Sequence, residues 1–220
     1  MNVEIRMRVP ALVATAMIAL VSSTTARADE VPFPLLNEWW QWALSFPAAV
    51  NPLLDNTGKQ CSLGQHGNLW FLAGNTGGTS VRECTVPRGT RVLIPVHNSF
   101  CFPDAITTPA QCFNAVADDF AGFTTAEALL DGLSVRAGQV TDADFVEQFP
   151  VTGESIFAFV VPKNGLFGIR PGAYRATIAA GRWAFVSLDT AGAHTLRVRA
   201  RHTDGFALDV TYRLHVVDVD

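Results

Sequence analysis

The strictest pattern in this chain is the period-two alternation of its C-terminal part. Between Ala207 and Val217, Leu208, Val210, Tyr212, Leu214 and Val216 alternate with Asp209, Thr211, Arg213 and His215. Side chains that change face at every residue belong to a strand with one buried face. The run before it alternates too, with Leu196 and Val198 set against Arg197, Arg199 and Arg201. Polar must meet polar across the hairpin, so odd-numbered residues pair with odd-numbered ones. A two-residue Asp204-Gly205 loop breaks that parity. A three-residue Thr203-Asp204-Gly205 loop with Gly205 left-handed keeps it. The expected register sets Asp209 opposite Arg199, with Arg197 and Arg201 on its diagonals.

The rest of the chain extends this β character. Asn68–Gly74, Val81–Val86, Arg91–Val96, Ile156–Val161, Tyr174–Ala179 and Trp183–Leu188 read as further short strands. Pro87-Arg88-Gly89 turns the chain between the second and third of these. The expected fold is mainly β, an antiparallel β-sandwich of jelly-roll type, in a single domain over residues 29–220. A short Trp-rich helix is expected over residues 35–46, with Asn37 as its cap and Pro47 ending it. Leu36, Trp40 and Ala43 share one of its faces, and Trp39, Trp42 and Phe46 an adjoining one. Such a helix either plugs one end of the sandwich or offers an aromatic platform to a sugar or apolar ligand. Residues 98–150 read as a helical and loop insertion, with helical patterns over 125–133 and 141–149 and a strand near Leu133–Ala137. Thr141 or Asp142 can cap the later helix.

The first 28 residues have the layout of a cleavable signal peptide. Arg6 and Arg8 precede an apolar run from Val9 to Val21, and Ala26-Arg27-Ala28 is a small-x-small cleavage site. The run is shorter than the roughly 20 apolar residues a membrane span requires. Localisation is therefore expected to be periplasmic or secreted, with no transmembrane segment after removal of the leader. Removing its three Arg and one Glu from the 16 basic and 20 acidic residues of the 220-residue chain leaves 13 and 19, a net charge of −6. That charge argues against a nucleic-acid partner. All four cysteines follow the leader, and an even count in an exported chain reads as disulfides. Pro103, Pro109 and the polar residues between them look like a loop stapled by Cys101–Cys112. Cys61–Cys84 then follows by elimination. No CxxC or HxxxH spacing supports zinc, and no metal or cofactor is expected.

Nucleophile elbows, HExxH, P-loops and dinucleotide-binding glycines are all absent. Four groups remain as candidates. Gly64-Gln65-His66-Gly67-Asn68-Leu69-Trp70 is a polar turn entering an aromatic strand, where Gln65, His66, Asn68 and Trp70 can contact a ligand. His97, at a strand end, suits a general base. Arg197, Arg199, Arg201 and Arg213 form a stripe that suits a carboxylate or sulfate. Asp142, Asp144 and Glu147 have helical spacing, which is poor for calcium.

Several motifs form one pattern. They are Trp39-x-x-Trp42, Asn51-Pro52 with Asp55, Cys61 with Gln65 and Trp70-Phe71-Leu72-Ala73-Gly74, Gly77-Gly78, and Arg82-x-Cys84-x-Val86-Pro87-x-Gly89. Pro95, Gly192-x-His194-Thr195-Leu196 and Asp209-Val210-Thr211-Tyr212 complete it. The pattern resembles that of an uncharacterised family of exported bacterial proteins. The resemblance implies no activity, but it implies that the Trp helix and the strands belong to one unit.

Three functional expectations follow. The first is a binding module for a glycan or cell-envelope component, contacted through Trp70, Gln65 and the Trp39/Trp42 helix. Buried tryptophans throughout, with no aromatic-lined groove, would count against it. The second is a hydrolase or lyase acting on an extracellular polysaccharide, with His97, His66 or Asp55 as acid–base groups converging on one bond. The third is a structural or assembly protein of the envelope.

Overall fold

The structure, a computed structural model, describes residues 33–101, 107–135, 137–139, 158–174 and 178–219. The expected leader and the expected helix over 141–149, with its acidic group, lie outside the described residues.

Two helices and eleven strands are described: α1 Phe33–Leu44, β1 Leu69–Phe71, β2 Gly78–Pro87, β3 Thr90–Cys101, α2 Pro109–Ala121, β4 Phe123–Leu130, β5 Leu133–Val135, β6 Ala137–Gln139, β7 Phe159–Val161, β8 Gly172–Tyr174, β9 Ile178–Leu188, β10 Gly192–His202 and β11 Ala207–Val217. A four-stranded sheet has the order β1-β3-β9-β6, and a five-stranded sheet the order β2-β11-β10-β4-β5. β7 and β8 form a separate ribbon.

The β10–β11 hairpin has the register its alternation requires. Arg199 pairs with Asp209, Leu196 with Tyr212 and Val198 with Val210. Gly205 is left-handed, with φ of 97°. The His202 amide donates to the Phe206 carbonyl at 2.9 Å and closes the loop over residues 203–205. Leu196, Val198, Val210, Tyr212 and Leu214 face inward and are buried. Opposite them, from the other sheet, lie Val92, Ile94, Val96, Ala184, Val186 and Leu188. Apolar faces from both sheets interdigitate in one core, which is the sandwich arrangement.

Not every pairing is antiparallel. β1 runs parallel to β3, and β2 parallel to β11. The turn at Arg88-Gly89 therefore joins two sheets rather than two paired strands, since β2 and β3 lie in different sheets.

The Trp helix does not plug an end. Leu93, Trp183 and Phe185 project from the opposite side of β3 and β9, and α1 covers them with Leu36, Trp39, Trp40, Ala43 and Leu44. The molecule thus has three layers, helix on sheet on sheet. Helix α1 is described from Phe33 onward, so Asn37 lies inside it and is not its cap; the Asn37 Oδ1 atom is buried without a hydrogen-bond partner among the described residues.

The described part of residues 98–150 is not an insertion. It continues β3, forms α2 and supplies β4, β5 and β6 to the two sheets. Two local signals mark this. Thr108-Pro109-Ala110-Gln111 is a capping box, the Gln111 amide donating to Thr108 Oγ1 at 3.2 Å and the Thr108 amide to Gln111 Oε1 at 2.8 Å. Cys112 therefore lies in a helix and not in a loop. The second signal is Asp131-Gly132, whose φ values of 52° and 80° make the tight turn of the β4–β5 hairpin. The expected helix over 125–133 is accordingly a strand and its turn. Ala, Glu and Leu favour helix locally, but pairing with β10 and burial of Ala128 against the core override that preference. Both expected disulfides are present, Cys61–Cys84 and Cys101–Cys112. They fit an oxidising compartment. Among the described residues, no helix is long and apolar enough to cross a membrane.

Candidate functional site

The aromatic candidates are packing residues. Trp39, Trp40, Trp42 and Trp183 are all buried. The Trp39 indole N–H donates to the Leu72 carbonyl and that of Trp42 to the Leu63 carbonyl, both at 2.9 Å. The polar edges of Trp39 and Trp42 are spent on the chain around β1, while the Trp40 and Trp183 indole nitrogens are buried without a hydrogen-bond partner among the described residues. The rings meet each other, Trp39 lying 5.0, 5.9 and 5.1 Å from Trp40, Trp42 and Trp183 between centroids. No indole of α1 remains as a platform.

The polar turn before β1 is likewise internally satisfied. Gln65 Nε2 donates to the carbonyls of Cys61 and Phe71, and its Oε1 accepts the Phe71 amide at 2.8 Å. Gln65 thus serves as a backbone substitute at the free edge of β1. Trp70 is half-buried and packs on the inter-sheet core. His66 and Asn68 are exposed beside it.

Among the described residues, no contact joins the three acid–base candidates. Asp55 accepts from the amides of Thr57 and Gln60 and from the Thr57 hydroxyl, closing its own turn. Partial burial raises its pKa, and these hydrogen bonds outweigh that and hold it low. His97 is 2 % exposed, stacked on Phe123 at 3.8 Å between centroids, and its Nε2 has no partner among the described residues. Burial first, then the charges of Arg182 and His202, lower its pKa to about 3. His66 lies in the β1 turn, and no hydrogen bond among the described residues joins it to His97 or Asp55. His194, which sequence reasoning did not single out as a base, has both ring nitrogens occupied. Nδ1 is 2.7 Å from Asp131 Oδ2 and Nε2 is 2.9 Å from the Thr190 carbonyl. Two acceptors favour the imidazolium, and the Asp131 contact raises its pKa. Among the described residues, no group of three or more His, Cys, Asp or Glu side chains is placed to hold a metal.

The arginine stripe is different. On the outer face of the five-stranded sheet, Thr79, Asp209, Arg199 and Glu127 form one row across β2, β11, β10 and β4. Arg197 reaches diagonally to Asp209, with Nε to Oδ1 at 2.8 Å and Nη2 to Oδ2 at 2.5 Å. Arg199 pairs with Glu127. Arg213 pairs with Glu83 at 3.1 Å. In the next row Arg201 lies between Ala207 and Thr125. It has no carboxylate across from it and makes no ion pair with any described residue. This end of the sheet borders an open concavity of about 690 Å³. Thr79, Thr124, Thr125, Arg199 and Arg201 line it, together with Glu127 and Asp209. Arg182 reaches it from β9 in the other sheet.

No family model, curated protein or solved structure matches this chain. The site therefore rests on its own chemistry, which is that of hydroxyls and guanidiniums on a rigid sheet.

Sequence reasoning did not find Arg182, because nothing local joins it to the stripe. It also left Arg82 without a role. Arg82 is 1 % exposed, and its Nη1 donates at 2.7 Å to both the Ala73 carbonyl and the Tyr212 hydroxyl. That position was legible, since Arg82 shares the parity of Cys84 and Val86 on β2 and must face inward with them.

Proposed function

We propose that this chain is an exported binding module for a glycan or other cell-envelope component. The ligand seat is the polar concavity over β4, β10 and β11, in place of the aromatic helix. The observation that carries this reading is the concavity itself. Its volume of about 690 Å³ falls in the usual range of ligand sites, roughly 300–1,000 Å³. Its threonine hydroxyls, carboxylates and guanidiniums offer donors and acceptors in the mixture that hydroxylated ligands need. The buried tryptophans leave the contact to these polar groups, so affinity on this reading comes from hydrogen bonds and charge. No contact among the described residues links His97, His66 and Asp55, so the hydrolase reading has no comparable support.

The test is one incubation of purified protein with insoluble polysaccharides and peptidoglycan, with pellets assayed for bound protein and supernatants for released sugar. Retention without release is expected, and the double variant Thr125→Ala/Arg199→Ala should reduce it at least fivefold. Released sugar would replace the binding module by a hydrolase or lyase. Loss of all retention from the wild-type protein would remove the glycan reading.

A further inference from the structure

We infer that the concavity selects an anionic saccharide, one bearing carboxylate or sulfate groups, through the guanidiniums of Arg201 and Arg182. This inference rests on the concavity being the ligand seat and adds which glycans it takes.

Four arginines bear on this end of the sheet, counting Arg197, which reaches it through Asp209. Two carboxylates lie among them, and each is engaged. Asp209 is held bidentately by Arg197, and that contact lowers its pKa. Glu127 is held by Arg199. Two guanidiniums are left over. Arg201 is exposed, with alanine and threonine as its cross-strand neighbours. Arg182 is largely covered, and its Nε is buried without a hydrogen-bond partner among the described residues. Its pairing partner across β3 and β9 is His97, which is neutral at ordinary pH and offers no counter-charge. What it does touch is the Phe120 ring, at 5.6 Å to the centroid. A Phe face compensates a desolvated cation only in part.

A partly covered cationic group without a counter-ion, such as Arg182, carries a desolvation cost, and a bound carboxylate or sulfate relieves it in charge-assisted hydrogen bonds. Guanidinium suits both anions, because its parallel N–H groups meet two oxygens at once. The Thr79 and Thr125 hydroxyls stand in the same concavity to take the sugar ring's own hydroxyls. The formal net charge of the whole chain is −4. A local excess of positive charge on an acidic protein gives selective attraction at this place, without general adhesion to polyanions.

The experiment is affinity electrophoresis and equilibrium binding with three soluble polymers: polygalacturonate, dextran sulfate and neutral dextran. Polygalacturonate or dextran sulfate should retard the protein, and whichever binds better identifies the anion. Neutral dextran should not. Arg201→Gln should weaken binding roughly tenfold, the loss expected for one charge-assisted contact. Arg182→Gln should weaken it also, while Arg213→Gln removes the same charge on the same face outside the concavity and should change it less than about twofold. Circular dichroism confirms that each variant is folded. Equal losses from Arg213→Gln and Arg201→Gln would show unspecific charge attraction and overturn the inference. Binding of neutral glycans alone would overturn it too, yet leave the binding module standing. Failure of every glycan, here and in the pelleting assay, would remove both.

Discussion

His97 shows how a titratable residue is disarmed by its surroundings. It follows an irregularity in the β3–β9 register at Pro95, which turns it toward α2. There Phe123 stacks on its ring, Phe120 lies 5.1 Å away between centroids, and Arg182 is its cross-strand neighbour. His202 stands on the far side of Phe123 and is itself held by Asp204 at 2.8 Å and by the Asp119 carbonyl at 3.0 Å. Among the described residues no acid acts on His97 to favour its charged form, and the charges that do act on it, Arg182 and His202, are positive. The folded pKa of about 3 lies below the ordinary 6.5. In that window the unfolded chain takes up a proton that the folded chain refuses. The contribution to stability is therefore whole above pH 6.5 and is lost as pH falls toward 3. His97→Phe keeps the aromatic stack and removes the titration. Urea unfolding at pH 7 and pH 4 should show wild type losing at least about 1 kcal/mol more than the variant between the two. Equal losses in the two proteins would mean that His97 is not buried neutral.

Helix α1 is held at its far end by a residue from the chain that follows it. Asn51 is 1 % exposed, and its Nδ2 donates to the carbonyls of Ala43 at 2.8 Å and Phe46 at 3.1 Å. The Ala43 carbonyl is among those that the end of a helix leaves unpaired, and Phe46 lies just beyond that end. Its Oδ1 accepts the Leu53 amide at 3.0 Å, so one amide group joins the helix end to the turn beyond it. The Asn51-Pro52 motif thereby acquires a structural meaning. Asn51→Ala strands two carbonyls and an amide, and should cost about 2 kcal/mol in chemical denaturation. Because α1 covers the outer face of the four-stranded sheet, Trp fluorescence should report the loss together with global unfolding. A change under about 0.5 kcal/mol would show that water replaces these bonds without penalty.

At the scale of the whole molecule, each sheet is built from strands distant in sequence, and the disulfides secure segments that lie outside the ladders. Cys61–Cys84 fastens the chain between α1 and β1 onto β2, which is the edge of the five-stranded sheet. The Glu83 amide donates to the Thr57 carbonyl at 2.9 Å and helps cover that edge. The bridge spans 23 residues, and by loop entropy its removal as Cys61→Ser/Cys84→Ser should cost about 3 kcal/mol. The measurement is urea unfolding of the double variant beside wild type. An unchanged midpoint would mean that the edge contacts alone hold this segment.

What the sequence determined by itself was parity and proximity. Alternation on β10 and β11 set which side chains faced the core, because successive Cβ atoms on a strand must point to opposite faces. The 203–205 loop and the 199–209 pairing followed from that geometry. The pairing Cys101–Cys112 was legible from short spacing, and the helical spacing of the Trp residues marked α1 but left open whether its indoles would be buried or face a ligand. The capping box at Thr108 and the Asp131-Gly132 turn were equally local and legible, and they mark α2 and the β4–β5 hairpin. Tertiary structure alone decided the rest. Residues 123–130 became a strand because β10 offered hydrogen bonds and burial that outweighed helix propensity. The tryptophans were withdrawn from any ligand because the outer face of β3 and β9 required cover. Arg182 met Arg201 at one concavity only because β9 and β10, in different sheets, bring them there. Such a meeting depends on contacts between distant segments, and no local pattern encodes it.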